Sequence, residues 1–360
     1  MTRSLLAALL LAALTATSCA SAQPQPQQTT ATTQPQSERP TATTQPQPPQ
    51  TTASARPRSE RPASTAPSQE QRPDATAAAP SSGAPSTRPG ELAVLDEERA
   101  GRLVRLTVDS PALKATAKVE LLLPTAWRPG TRWPVLYLLD GCCRRGGPAW
   151  VSDGRADEVT RDAQAIVVMP EAGYAGFYSD WLDGPQWETF HLTELRHLVE
   201  RRYGGTGRRA IAGLSMGGFG ALSYAARHPG MFRAAASFSG LVNVSRQDVE
   251  YLTDQSGDDA GKLWGDRIAE HNPTALVRQL RDIPVHVSCG NGEPGPLDAR
   301  NTPRDGGEAF IEAENRAFVR AAEAAGVKVT ANLYGPGTHR WPYWTRELER
   351  ALPMLLGSLS

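Results

Sequence analysis

One serine in this chain stands in a setting that could make it a nucleophile. Gly213-Leu214-Ser215-Met216-Gly217 has the G-x-S-x-G pattern, preceded by the short apolar stretch Ala210 to Gly213 and followed by a helix-compatible run. Glycines at the first and last positions leave room for a sharp strand-to-helix turn that lifts the serine hydroxyl above a sheet. Such a serine needs a base to take its proton, a carboxylate to orient the base, and backbone amides to hold the developing oxyanion.

The elements around the turn limit where those partners can lie. Leu103 to Ser110 and Thr116 to Leu123, separated by Pro111, read as an antiparallel hairpin. Val135 to Leu139 and Ala165 to Met169 are unbroken apolar runs, as in strands covered on both faces. Ala234 to Phe238, Ile283 to Ser288 and Val327 to Tyr334 read as further strands. Helical patterns fall at Thr189 to Tyr203, Met216 to His228, Glu308 to Ala325 and Tyr343 to Leu356. This alternation predicts an α/β fold, a mostly parallel sheet with helices on both faces. With a nucleophile on a strand-to-helix turn, it is the α/β-hydrolase architecture.

In that architecture the order is serine, acid, histidine, each on a loop at the carboxyl ends of the strands. His339 follows the last predicted strand. The remaining histidines fall in predicted helices (His191, His197, His228), inside a strand (His286) or before Asn272-Pro273 (His271). His339 is therefore the expected base. Position leaves six carboxylates for the acid: Glu293, Asp298, Asp305, Glu308, Glu312 and Glu314. The oxyanion amides are expected at Met216, after the nucleophile, and in the turn Asp140-Gly141-Cys142-Cys143.

The first ninety residues differ in character. Residues 1–22 carry a short apolar core, Leu5 to Leu14, and small residues before Cys19, as in an export signal whose cysteine is lipidated. Residues 23–90 are rich in Gln, Pro, Thr, Ser and Ala and lack aromatics, so they are expected to form a disordered tether. Extended at roughly 3 Å per residue, it reaches on the order of 200 Å, enough for a spacer through a cell wall. Residues 91–360 supply one domain. The chain of 360 residues has 38 basic and 38 acidic side chains, and no dense basic run suggests nucleic acid. Besides Cys19 there are Cys142, Cys143 and Cys289, an odd number, and adjacent cysteines rarely pair, so a disulfide scaffold is not expected.

From Leu103 onward the chain resembles the esterase family of α/β-hydrolases, and within it the antigen 85-type mycolyltransferases. The resemblance rests on ordered motifs: Leu136 to Gly141, Phe177-Tyr178-Ser179-Asp180-Trp181, Trp187-Glu188-Thr189-Phe190, Gly213 to Met216, Trp264-Gly265, Asn272-Pro273-Thr274, Cys289-Gly290-Asn291-Gly292 and Gly337 to Trp344. It implies Glu308 as the acid, Cys142 and Met216 as the oxyanion amides, and a substrate site around Asp140, Arg144 and Trp341. It also implies an acyl ester or lipid donor, a sugar or other alcohol acceptor or water, and no cofactor or metal. Two departures bear on the acceptor: Cys143 stands where the family has arginine, with Arg144 one position on, and Arg340 stands where it has serine. The expected enzyme is a cell-surface serine acyltransferase, with a carboxylesterase or a non-catalytic wall-binding lipoprotein as alternatives.

Overall fold

The computed structural model describes residues 91–144 and 146–360. The expected signal, the lipidation expected at Cys19 and the expected tether lie outside the described residues. Nine strands form one sheet in the order β1-β2-β3-β5-β4-β6-β7-β8-β9. The strands are β1 (Ala93–Ala100), β2 (Leu103–Ser110), β3 (Ala115–Leu122), β4 (Trp133–Leu139), β5 (Ile166–Pro170), β6 (Gly205–Leu214), β7 (Ala235–Phe238), β8 (Val285–Cys289) and β9 (Val329–Leu333). The hairpin is present, with Leu103 opposite Leu122 and Ser110 opposite Ala115. From β5 to β9 every neighbouring pair is parallel. The first three strands pair antiparallel and join the sheet through β3 and β5.

The edge strand β1 escapes sequence reading because its AVLDEERA composition leaves it largely exposed, with little apolar alternation. Strand β5, β4 from Val135 onward and the second half of β6 are buried throughout, as their unbroken apolar runs demand.

Eight α-helical segments flank the sheet among the described residues: α1 (Ala156–Val159), α2 (Trp187–Thr189), α3 (Arg196–Arg202), α4 (Met216–Arg227), α5 (Arg246–Ser256), α6 (Ala260–Leu263), α7 (Gly306–Ala324) and α8 (Trp341–Gly357). Alternate side chains of each strand serve opposite faces. Tyr137 and Leu139 of β4 enter the core that also holds Phe219 and Leu222 of α4 and Phe318 of α7. Leu136 and Leu138 point into a second core with Ala156 of α1 and Trp344, Leu348 and Leu355 of α8. The helix expected over Thr189 to Tyr203 is instead broken into α2, a π-helical stretch (Phe190–Leu195) and α3. Hydrophobic periodicity does not distinguish the wider turn, in which His191 meets the Tyr224 hydroxyl at 3.0 Å and the Glu171 carbonyl at 2.8 Å.

Candidate active site

Ser215 sits between β6 and α4 with φ 53 and ψ −122, a conformation costly for a side-chain-bearing residue. The flanking glycines make the turn possible. A Cβ at Gly213 would lie 2.2 Å from the Gly217 carbonyl oxygen, and one at Gly217 would lie 2.3 Å from that of Leu139. Strand and helix thus approach to backbone contact, and the Ser215 N–H donates to the Phe238 carbonyl at 2.9 Å. Met216 opens α4, so its N–H has no intrahelical acceptor.

Glu308 lies in the first turn of α7, fully buried. Its Oε1 accepts from the Ser239 hydroxyl at 2.7 Å and from the Gly290 N–H at 2.7 Å. Its Oε2 lies 2.7 Å from His339 Nδ1. Two fixed donors on one oxygen aim the other at the imidazole, favouring the tautomer with the proton on Nδ1 and a lone pair on Nε2. The Trp344 ring meets His339 edge-on with centroids 4.8 Å apart. His339 Nε2 is buried without a hydrogen-bond partner among the described residues.

Asp305 supports both residues. Its Oδ1 caps α7 by accepting the Glu308 N–H at 3.0 Å, while Oδ2 accepts the His339 N–H at 2.9 Å. Asp298 accepts from the Thr338 and Tyr343 hydroxyls and the Gly295 N–H, bracing the loop before the histidine. Of the other acid candidates, Glu293 pairs with Arg304 and Glu312 with Arg316. Glu314 is buried elsewhere on α7.

Ser215 and His339 open into one cavity of about 690 Å³ that also touches Asp140, Cys142, Arg144, Arg340 and Trp341. The Asp140 carboxylate accepts the Ala149 N–H at 2.7 Å; burial pushes its pKa up to about 7, against the lowering effects of that bond and of Arg144. Arg144 is exposed and its guanidinium is 2.5 Å from Asp153. Trp341 packs edge-on against Trp150 and Trp344. The cavity therefore brings together the expected nucleophile, base, oxyanion turn and substrate residues, with the acid directly behind the histidine.

The cysteine expectation needs correction. Cys142 and Cys143 are joined by a disulfide, and only Cys289 is a free thiol among the described residues. Adjacent residues hold their Cα atoms 3.8 Å apart, closer than most disulfides allow. Here Cys143 takes φ 71, and its N–H donates to the Tyr174 carbonyl at 2.7 Å. Ser239, whose φ is 46, is a site residue that sequence reading does not find. Its only signal is position, directly after the carboxyl end of β7.

The Esterase family profile matches residues 110–355. The chain is 33% identical over 276 residues to the diacylglycerol acyltransferase/mycolyltransferase Ag85B of Mycolicibacterium smegmatis, covering 69% of this chain and 83% of the relative. It is 33% identical over 278 residues to the Ag85B protein of Mycobacterium leprae, covering 71% and 83%. A solved ferulic acid esterase superposes with a TM-score of 0.60 at 27% identity, covering 72% of this chain and 98% of that one. MPT51 (FbpC1) of Mycobacterium tuberculosis shares the fold, with a TM-score of 0.60 at 23% identity over 74% of this chain and 99% of that one. These likenesses support ester hydrolysis or acyl transfer as the chemistry. The protein belongs to the esterase family of α/β-hydrolases.

Proposed function

We propose that the protein is an extracellular serine acyl enzyme that transfers an acyl group through a Ser215 ester to a hydroxyl acceptor. The observation that carries this reading is the line from Glu308 through His339 Nδ1 to a buried, unpartnered Nε2 that shares a cavity with Ser215. In the first half-reaction Nε2 takes the Ser215 proton as Oγ adds to the ester carbonyl carbon. The oxyanion accepts hydrogen bonds from the Met216 and Cys142 N–H groups. Collapse breaks the bond to the alcohol, which leaves with the proton from Nε2, and Ser215 is left acylated. An acceptor hydroxyl then gives its proton to Nε2 as its oxygen attacks the acyl carbonyl, and collapse breaks the bond to Ser215 Oγ, which takes the proton back from Nε2.

Asp140, Arg144 and Trp341 are assigned to the substrate. A cavity of about 690 Å³ is the size that encloses a metabolite-sized ligand. A long lipid chain would extend beyond it. The N-terminal sequence fits export, with Cys19 lipidated and residues 23–90 tethering the enzyme to the outer face of the membrane.

The second reading, a carboxylesterase, is favoured by the Arg144–Asp153 pair, which occupies a cation otherwise available to a sugar acceptor. Product partition decides between them. The domain is incubated with a chromogenic acyl ester, with and without trehalose or glucose, and with Ser215→Ala as control. Acylated sugar establishes transfer, and free acid unaffected by either sugar establishes hydrolysis. Folded protein that reacts with neither the ester nor a fluorophosphonate would leave the non-catalytic reading.

A further inference from the structure

Arg340 differs from every other charged side chain around the cavity. Asp140 accepts the Ala149 N–H, Arg144 pairs with Asp153, Glu171 accepts the Lys118 N–H, Asp298 holds three donors and His339 holds Glu308. Arg340 lines the same cavity and is partly buried, yet its guanidinium has no hydrogen-bond or ion-pair partner among the described residues.

A guanidinium presents five donors in a fixed planar fork suited to an oxyacid group. Its place in the chain, directly after the base and lining the same cavity, sharpens the argument. When Nε2 is protonated during the reaction, the cavity lined by His339 and Arg340 carries two positive charges. An anion supplied by the substrate offsets both. Nε2 must deliver its proton to the alcohol oxygen, so the alcohol portion of the ester lies at His339, in the cavity that Arg340 also lines.

We propose that Arg340 recognises a carboxylate or phosphate on the alcohol portion of the ester, making acidic esters the preferred substrates. This rests on Ser215 and His339 acting as described above.

The test compares three acetyl esters of matched phenols: 4-acetoxybenzoate, 4-acetoxyphenyl phosphate and the uncharged methyl 4-acetoxybenzoate. The readout is the ratio of kcat/KM for each anionic ester to that of the neutral one. The native chain should favour at least one anionic ester by about tenfold, a preference that shrinks at high ionic strength. Arg340→Gln should abolish it, chiefly through KM, and Arg340→Lys should restore part of it. The distant Arg246→Gln, which removes an exposed arginine paired with Glu250 and Asp266, should leave the ratio unchanged. The anion with the larger ratio identifies the group.

A ratio near one in the native chain, or one that survives Arg340→Gln, overturns the proposal while the acyl-enzyme reading stands. If no ester is cleaved, that reading fails instead. The proposal is then decided by calorimetric titration of 4-hydroxybenzoate into the native chain and Arg340→Gln. Binding weakened about tenfold by the substitution supports it, and equal or absent binding overturns it.

Discussion

Replacing Glu308 with glutamine should separate catalysis from stability. The amide is nearly the size of the carboxylate, and its oxygen can remain where Oε1 accepts from the Ser239 hydroxyl and the Gly290 N–H. That places the NH2 group opposite His339 Nδ1, where the carboxylate oxygen stood at 2.7 Å. Nδ1 must then accept, so the ring proton moves to Nε2 and the base is lost. Mis-set tautomers of this kind lower kcat by about 10⁴-fold in the best-studied serine hydrolases, equivalent to about 5 kcal/mol of barrier. The expected fall here is about 10³- to 10⁴-fold, with urea stability almost unchanged. Glu308→Ala should behave differently, leaving the buried Gly290 N–H without an acceptor and destabilising the fold by about 2–4 kcal/mol. Initial rates on a chromogenic ester, read beside urea unfolding curves, make the comparison. Glu312→Gln, which loses only a pairing with Arg316, is the control and should stay within about twofold. If Glu308→Gln keeps more than about a tenth of the native rate while folded, the assignment of the acid is wrong.

Fluorophosphonate labelling should be abolished by Ser215→Ala without loss of the folded transition. Gly217→Ala should cost about 3 kcal/mol or prevent folding, because the new methyl would lie 2.3 Å from the Leu139 carbonyl oxygen and 2.5 Å from that of Asp140, both backbone atoms unable to step aside. Burial raises the Asp140 pKa to about 7 from 3.8, so the folded state binds more protons than the unfolded state between those values. Stability contributed by this group is therefore lost as pH rises from about 4 through 7, and Asp140→Asn should flatten that decline in urea titrations. Alkylation of the native protein should label Cys142 and Cys143 only after reduction, and buried Cys289 only after unfolding.

The parallel half of the fold is legible in the sequence because most of β4, all of β5 and the second half of β6 are buried on both faces and are written as apolar runs. The nucleophile turn is legible because only glycine fits at Gly213 and Gly217. The proposed acid is not, since six carboxylates satisfy the same order and their distinction lies in contacts from distant segments. Glu308 takes its donors from Ser239 on one loop and Gly290 on another. Asp305, equally plausible by position, is committed to the helix cap and the His339 N–H. The vicinal disulfide escapes because side-chain pairing there depends on a left-handed backbone at Cys143, which no local propensity demands of cysteine. β1 carries too many charges to show an alternating pattern.

The double duty of Asp305 makes the site an assembly of two bodies rather than of three. Because one carboxylate grips both the helix that carries Glu308 and the backbone of His339, the pair is held as a single jaw, while Ser215 sits at the crossing of β6 and α4. Loop sequence can then drift, or be exchanged, around the jaw without disturbing the spacing of acid and base. What such changes would alter is the bite between jaw and nucleophile. Insertions at 299–304, past the Asp298 brace, would therefore reshape which esters are admitted while sparing the proton relay itself.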